Sequence, residues 1–192
     1  MNPYTYIDKY YAFGTPLRTI LTVHSEAVAA KSVDIVHRHP ELGADEAFVR
    51  QAALLHDIGI LLTDADGICC HGPAPYICHG LLGAQLLRRE AHLQRLAGSQ
   101  QEAEVLERCA GVCERHTGTG LSLQQISQSR WPLPLRDMRP VSVEEQVVCF
   151  ADKFFSKTRP DTEKTPDQAR HSLAKFGDDG LRLFDHWCSL FL

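Results

Sequence analysis

His24, His56, Asp57, His79, His116 and Asp152 are the residues of this 192-residue chain whose types and settings point to chemistry. Each lies on, or at the end of, an apolar helical stripe. His24 stands one turn after Ile20 and one turn before Val28. His79 leads a stripe of Leu82, Gly83, Leu86 and Leu87, and His116 ends one of Val105, Cys109, Val112 and Cys113. Asp152 lies a turn after Val148 and shortly before Phe155, and His56-Asp57 follows the apolar run Ala52 to Leu55. Side chains three or four residues apart share a helix face, so these polar groups point toward the core. Burying a carboxylate or an imidazole without partners is costly. A shared divalent cation removes that cost for all six at once. Histidine nitrogen with carboxylate oxygen suits Fe, Mn, Zn, Co or Ni better than Ca or Mg. The competing reading is a buried His–Asp hydrogen-bond network without metal.

The adjacent pair His56-Asp57 sets a condition on the backbone. Neighbours on a helix diverge by about 100°, so they can share an ion only where the helix ends, and Ile58-Gly59 supplies such an end.

The elements that must carry these residues read as helical nearly throughout. Thr15 to His37 is a long amphipathic stretch with Thr15 at the N-cap and Pro16 at the first helical position, and Pro40 ends it. Asp45 to His56 is a short apolar helix. Thr63 to Tyr76, with Asp, Gly and Pro, reads as loop. His79 to His92 and Ser99 to His116 are helical, the latter stopped by Gly118 and Gly120. Leu121 to Arg139 reads as a short helix followed by irregular chain. Val141 to Thr158 is helical, with Pro160 beyond it. Thr165 to Phe191 gives two short helices broken at Gly177 to Gly180. No alternating strand pattern stands out. The expectation is one all-α domain over 1–192, a helical bundle with a motif-bearing core at about 15–160 and a helical extension at 161–192.

Composition narrows the function classes. The chain is 44% apolar and 23% charged with a formal net charge of -4, ordinary for a soluble globular protein and no footprint of a nucleic-acid binder. Seven cysteines, an odd number without a CxxC pair, read as free thiols in a reducing compartment. The first residues are aromatic and polar, unlike a secretion signal, and no apolar run reaches the ~20 residues of a membrane span. A cytoplasmic location is expected.

The order His24, then His56-Asp57-Ile58-Gly59, then Asp152 in Phe150-Ala151-Asp152-Lys153, resembles the HD superfamily of metal-dependent phosphohydrolases. His79-Gly80 with Gly83-Ala84, and His116-Thr117-Gly118, are similar to the extra ligand segments of its binuclear subgroup. That subgroup includes dinucleoside-tetraphosphate hydrolases and cyclic-di-GMP phosphodiesterases. The resemblance spans roughly Leu17 to Arg159. It implies an all-α bundle of the HD-domain type, an activated water attacking phosphorus, and two divalent transition-metal ions. His24, His56, Asp57 and Asp152 would hold the first ion. Asp57, the catalytic carboxylate, would bridge to the second, held with His79 and His116.

One departure from those relatives matters. Many carry a lysine directly after the HDIG segment, where this chain has Ile60. The phosphate then needs another cation, and the candidates nearest the motifs are Arg18, Arg115, Lys153 and Arg159. The reading is an enzyme cleaving a phosphate ester or anhydride of a small substrate, a nucleotide by preference. The alternative is a non-catalytic sensor binding a nucleotide or a metal in the same pocket.

Other features are plainer. Cys69-Cys70-His71 with Cys78-His79 has adjacent ligands poorly placed for a tetrahedral zinc. The aromatic start (Tyr4, Tyr6, Tyr10, Tyr11, Phe13) suits packing onto the core better than covering a nucleobase. The apolar tail Leu181, Phe184, Trp187, Leu190 and Phe191 is either core or a contact in a homodimer.

Overall fold

The structure, a computed structural model, describes residues 1–159 and 162–192. Among them are nine α-helices: α1 (Tyr4–Tyr10), α2 (Pro16–Arg38), α3 (Glu46–Leu55), α4 (His79–Leu96), α5 (Gln100–Arg115), α6 (Leu123–Ser129), α7 (Val143–Asp152), α8 (Pro166–Leu173) and α9 (Asp178–Phe191). The fold is all-α. The expected boundary between core and extension, at 160/161, lies outside the described residues.

Local sequence explains where the helices begin. Thr15 Oγ1 accepts the Arg18 amide at 3.3 Å and Pro16 follows it. Asp45 caps the Phe48 amide at 3.0 Å, and Ser142 caps that of Glu145 at 3.2 Å. Ser122–Gln125 and Thr165–Gln168 form capping boxes ahead of α6 and α8, each satisfying two otherwise orphan amides. Helices α2, α3, α5 and α7 pack on one another, and α4 lies along α5. Their buried faces form one main core, into which the N-terminal Tyr6, Ile7 and Tyr11 and the C-terminal Phe184, Trp187 and Phe191 also pack. The aromatic start is therefore largely core, and so is the inner face of the tail. No described helix is long and apolar enough to cross a membrane.

Two expectations need correction. The stretch 63–76 carries a small sheet of β1 (Thr63–Ala65), β2 (Cys70–His71) and β3 (Ala74–Pro75), ordered β2-β1-β3. β1 pairs antiparallel with β2 through Asp64 and His71, and parallel with β3 through Thr63 and Ala74. Strands of two or three residues are too short to show an alternating pattern. The helix expected over Val141 to Thr158 stops at Asp152. Beyond it the chain makes tight turns: the amides of Lys153, Phe154 and Phe155 bond to carbonyls three residues back. The Phe154 carbonyl, which a continuing helix would offer to Thr158, accepts the Lys164 amide at 2.8 Å instead.

Candidate metal centre

Two close approaches bring the ligand-bearing elements together. A Cβ on Gly59 would lie 2.2 Å from the His79 carbonyl and 2.3 Å from the Gly83 amide nitrogen, so only glycine lets the turn after His56-Asp57 sit on the start of α4. A Cβ on Gly80 would lie 2.4 Å from the Cys113 carbonyl, so α4 also meets the end of α5 backbone to backbone. His79 and His116 face each other as a result. Helices α2 and α7 deliver His24 and Asp152 from the other side. Tyr11 steadies the turn from outside, its hydroxyl donating to the Ile58 carbonyl at 2.8 Å.

The six side chains converge in two groups that share Asp57. His24, His56, Asp57 and Asp152 form one; Asp57, His79 and His116 form the other; within each, the ligand atoms lie within 4.8 Å of one another. Asp57 divides its oxygens between them. Oδ2 lies 3.1 Å from His24 Nε2 and 3.0 Å from His56 Nε2, while Oδ1 lies 3.5 Å from His79 Nε2 and 3.3 Å from His116 Nε2. Asp152 Oδ1 completes the first group, 3.0 Å from His24 Nε2.

The ring nitrogens on the far side fix which nitrogen faces the centre. The Nδ1–H groups of His56, His79 and His116 can donate to the carbonyls of Ala53, Tyr76 and Cys113 at 2.6, 2.7 and 2.7 Å. Their Nε2 lone pairs then point inward, the orientation that backbone acceptors impose on metal-binding imidazoles. His79 Nε2 and His116 Nε2 are 3.0 Å apart. Two lone pairs that close repel unless a cation lies between them, and metal–nitrogen bonds of 2.0–2.1 Å put neighbouring octahedral donors about 3 Å apart. Both Asp57 oxygens are buried and neither receives a directed hydrogen bond. Lys157 Nζ, 2.5 Å from Oδ2, offsets the charge on that side, but Oδ1 faces only the His79 and His116 nitrogens, a costly setting for a buried carboxylate oxygen. The donor set therefore fits divalent metal at both groups.

The electrostatics agree. Burial opposes ionisation of Asp57, but Lys157 and His56 outweigh it and hold the carboxyl well below its usual range. Asp152 is likewise held down, by Lys153, His24 and His56 against its burial. Burial pulls His56 down, yet Asp57 and Asp152 raise it to about 9. Burial and the neighbouring His116 depress His79 to about 3, and burial also lowers His116. Without metal, a proton on His56 and the Lys157 ammonium offset the two carboxylates. Metal entering the centre displaces that proton.

The basic residues proposed from motif proximity are scattered. Arg18 pairs with Asp8 at 2.6 Å and donates to the Tyr11 carbonyl. Arg115 pairs with Glu145 at 2.6 Å on the lining of a separate cleft. Arg159 lines a neighbouring groove with Gln168 and His171. Lys153 stays close, its Nζ 2.6 Å from Asp152 Oδ2 and donating to the His116 carbonyl at 2.9 Å. The cation nearest the shared carboxylate is one the sequence reading missed: Lys157 Nζ lies 2.5 Å from Asp57 Oδ2, with the side chain 12% exposed. On a helix continuing past Asp152 it would point away from the centre. It reaches Asp57 because α7 stops. A cavity of about 390 Å³ adjoins the centre, with Asp152, Lys153 and Lys157 on its lining.

Comparison with known proteins bears on the same segment. The HD domain matches residues 22–156, which take in all six converging residues. The chain belongs to the HD domain family. This HD domain is 32% identical to an uncharacterized protein of Methanocaldococcus jannaschii, over 60% of the chain and 53% of the relative. It is 27% identical to a tRNA (cytidine(56)-2'-O)-methyltransferase of Picrophilus torridus, over 66% of the chain and 33% of the relative. It is 28% identical to the protein of that name in Thermoplasma volcanium, over 78% of the chain and 35% of the relative. The chain thus spans about a third to a half of the length of these curated relatives. No solved structure matches it significantly.

Proposed function

We propose that this HD domain is a divalent-metal-dependent phosphohydrolase of the binuclear kind, cleaving a phosphate ester or anhydride of a small substrate, a nucleotide by preference. The observation that carries the reading is Asp57: buried, with Oδ2 toward His24 and His56 and Oδ1 toward His79 and His116, so that it belongs to both ligand groups. His24, His56, Asp57 and Asp152 would hold one ion, and Asp57, His79 and His116 the other. When bound, such ions supply a nucleophilic water at neutral pH and clamp the attacking and leaving oxygens of an in-line displacement. The chain's own residues do the rest. Asp57 keeps the two groups in register, and the Ala53, Tyr76 and Cys113 carbonyls hold three imidazoles in one tautomer. Lys157 and Lys153 set positive charge where an anionic phosphoryl group would arrive from the cavity.

A purely binding role drew its support from Ile60 standing where many relatives have lysine. Lys157 weakens that argument by bringing an ammonium to the same carboxylate. The methyl transfer named for two relatives does not carry over to this chain, which spans only about a third of each.

The test pairs metal analysis with turnover. Purified protein should carry about two ions per chain and hydrolyse an aryl phosphate or a nucleotide with Mn, Fe, Co or Ni. Asp57→Ala, which removes a ligand from both groups, should lose both ions and the activity. Hydrolysis that persists in chelator would refute the proposal.

A further inference from the structure

The family match ends at Ser156, but the cavity beside the metal centre does not. Lys157, Lys164, Ser172, Lys175 and Phe176, all beyond the matched residues, share its lining with Asp152 and Lys153. With Lys153, four lysines line one space of about 390 Å³, and among the described residues the single carboxylate on the lining is Asp152.

These lysines are not equivalent. Lys153 and Lys157 are paired with Asp152 and Asp57, at 2.6 and 2.5 Å. Among the described residues, Lys164 and Lys175 have no carboxylate within 4.0 Å. Lys164 Nζ donates to the Lys153 carbonyl at 3.4 Å, and Lys175 Nζ lies 5.2 Å from the Phe176 ring. Burial depresses the Lys164 pKa, and the charges of Lys153, Lys157 and Lys175 add to that effect against the opposing pull of Asp152. Like charges gathered around a cavity repel unless an anion enters. One phosphoryl group at the centre answers Lys153 and Lys157. It leaves Lys164 and Lys175, on the same lining, without an anion.

We propose that Lys164 and Lys175 form a second phosphate subsite, so that the substrate is a phosphoanhydride chain with one phosphate at the metal centre and the next against these two lysines. This rests on the phosphohydrolase reading and adds to it a substrate class. The matched HD region supplies the centre; the segment after it selects what is cleaved.

The probes are methylphosphonate and methylenediphosphonate, titrated calorimetrically into metal-loaded wild-type protein and the Lys164→Gln/Lys175→Gln variant. The ratio of the two affinities within each protein cancels what the ions themselves contribute. Two charge-assisted contacts imply that the preference for the diphosphonate falls about tenfold or more in the variant. An unchanged ratio overturns the subsite. A second measurement needs no variant: methylenediphosphonate should shield Lys164 and Lys175 of the wild type from amine acetylation, and full reactivity in its presence counts against the proposal. If hydrolysis persists while the ratio stays constant, only the subsite falls. If the wild type binds neither probe and cleaves no phosphate, the phosphohydrolase reading falls and takes the subsite with it.

Discussion

Gly59→Ala asks directly how the two ligand groups are held together. The added Cβ would sit 2.2 Å from the His79 carbonyl, 2.3 Å from the Gly83 nitrogen and 2.7 Å from the Gly83 Cα, where ordinary contact begins at 3.4 Å. All three obstacles are backbone, so no side-chain rotation relieves them. The start of α4 must retreat by about 1 Å, and His79 moves with it. Its Nε2, now 3.5 Å from Asp57 Oδ1 and 3.0 Å from His116 Nε2, leaves a geometry in which ligand distances tolerate about 0.2 Å. His24, His56, Asp57 and Asp152 come from α2, α7 and the turn itself and stay in place. The expected outcome is selective: bound metal falls from about two ions to about one, turnover drops roughly 100-fold, and stability falls by about 1–3 kcal/mol from overpacking. Metal content after dialysis, turnover and thermal unfolding measure the three. Gly111→Ala is the control, because its Cβ meets only the ends of the Arg115 and Glu145 side chains, at 3.1 Å. A Gly59→Ala protein with two ions and wild-type stability would refute the close-packing argument.

Other perturbations separate the roles of charge and packing. Lys157→Met removes the cation beside Asp57 and should destabilise the metal-free protein by about 3–5 kcal/mol. Urea denaturation should show a smaller deficit once metal is loaded, and an equal deficit in both states would contradict a compensating role for the ammonium. Metal-free stability should peak near pH 6.5, the ordinary histidine value. Below it the unfolded chain takes up protons that His79, held at about 3, refuses, so stability declines toward acid. Above it the contribution of His56 is lost as pH rises through about 9; denaturation at pH 4.5, 6.5 and 9 that shows no maximum would contradict this. Trp187→Ala empties a buried site against Phe150 and breaks the bond from Trp187 Nε1 to Gln146 Oε1 at 3.1 Å. It should cost about 3–5 kcal/mol, read as a lower melting temperature, because α9 supports the helix that carries Asp152.

The parts of the molecule legible in the sequence are those set by local rules. Thr15-Pro16 marks the start of α2, and Gly177 the break before α9, because capping and glycine geometry act within a few residues. The six converging residues are legible because each is polar on an apolar stripe, and a stripe reports direction whatever it packs against. Helix α1 and the short strands gave too few residues for any period to register. Lys157 was hidden for a different reason. Helical phase, the same rule that points Asp152 inward, points Lys157 outward if the helix continues. Its actual position depends on a long-range event, the Lys164 amide taking the Phe154 carbonyl. That bond ties the stop of α7 to the segment carrying Lys164 and Lys175. The tight turns that bring Lys157 to the shared carboxylate are thus pinned by the wall proposed to read the second phosphate. Substitutions that loosen residues 162–176 should therefore act on the metal centre through Lys157 as well as on Lys164 and Lys175 in the cavity lining.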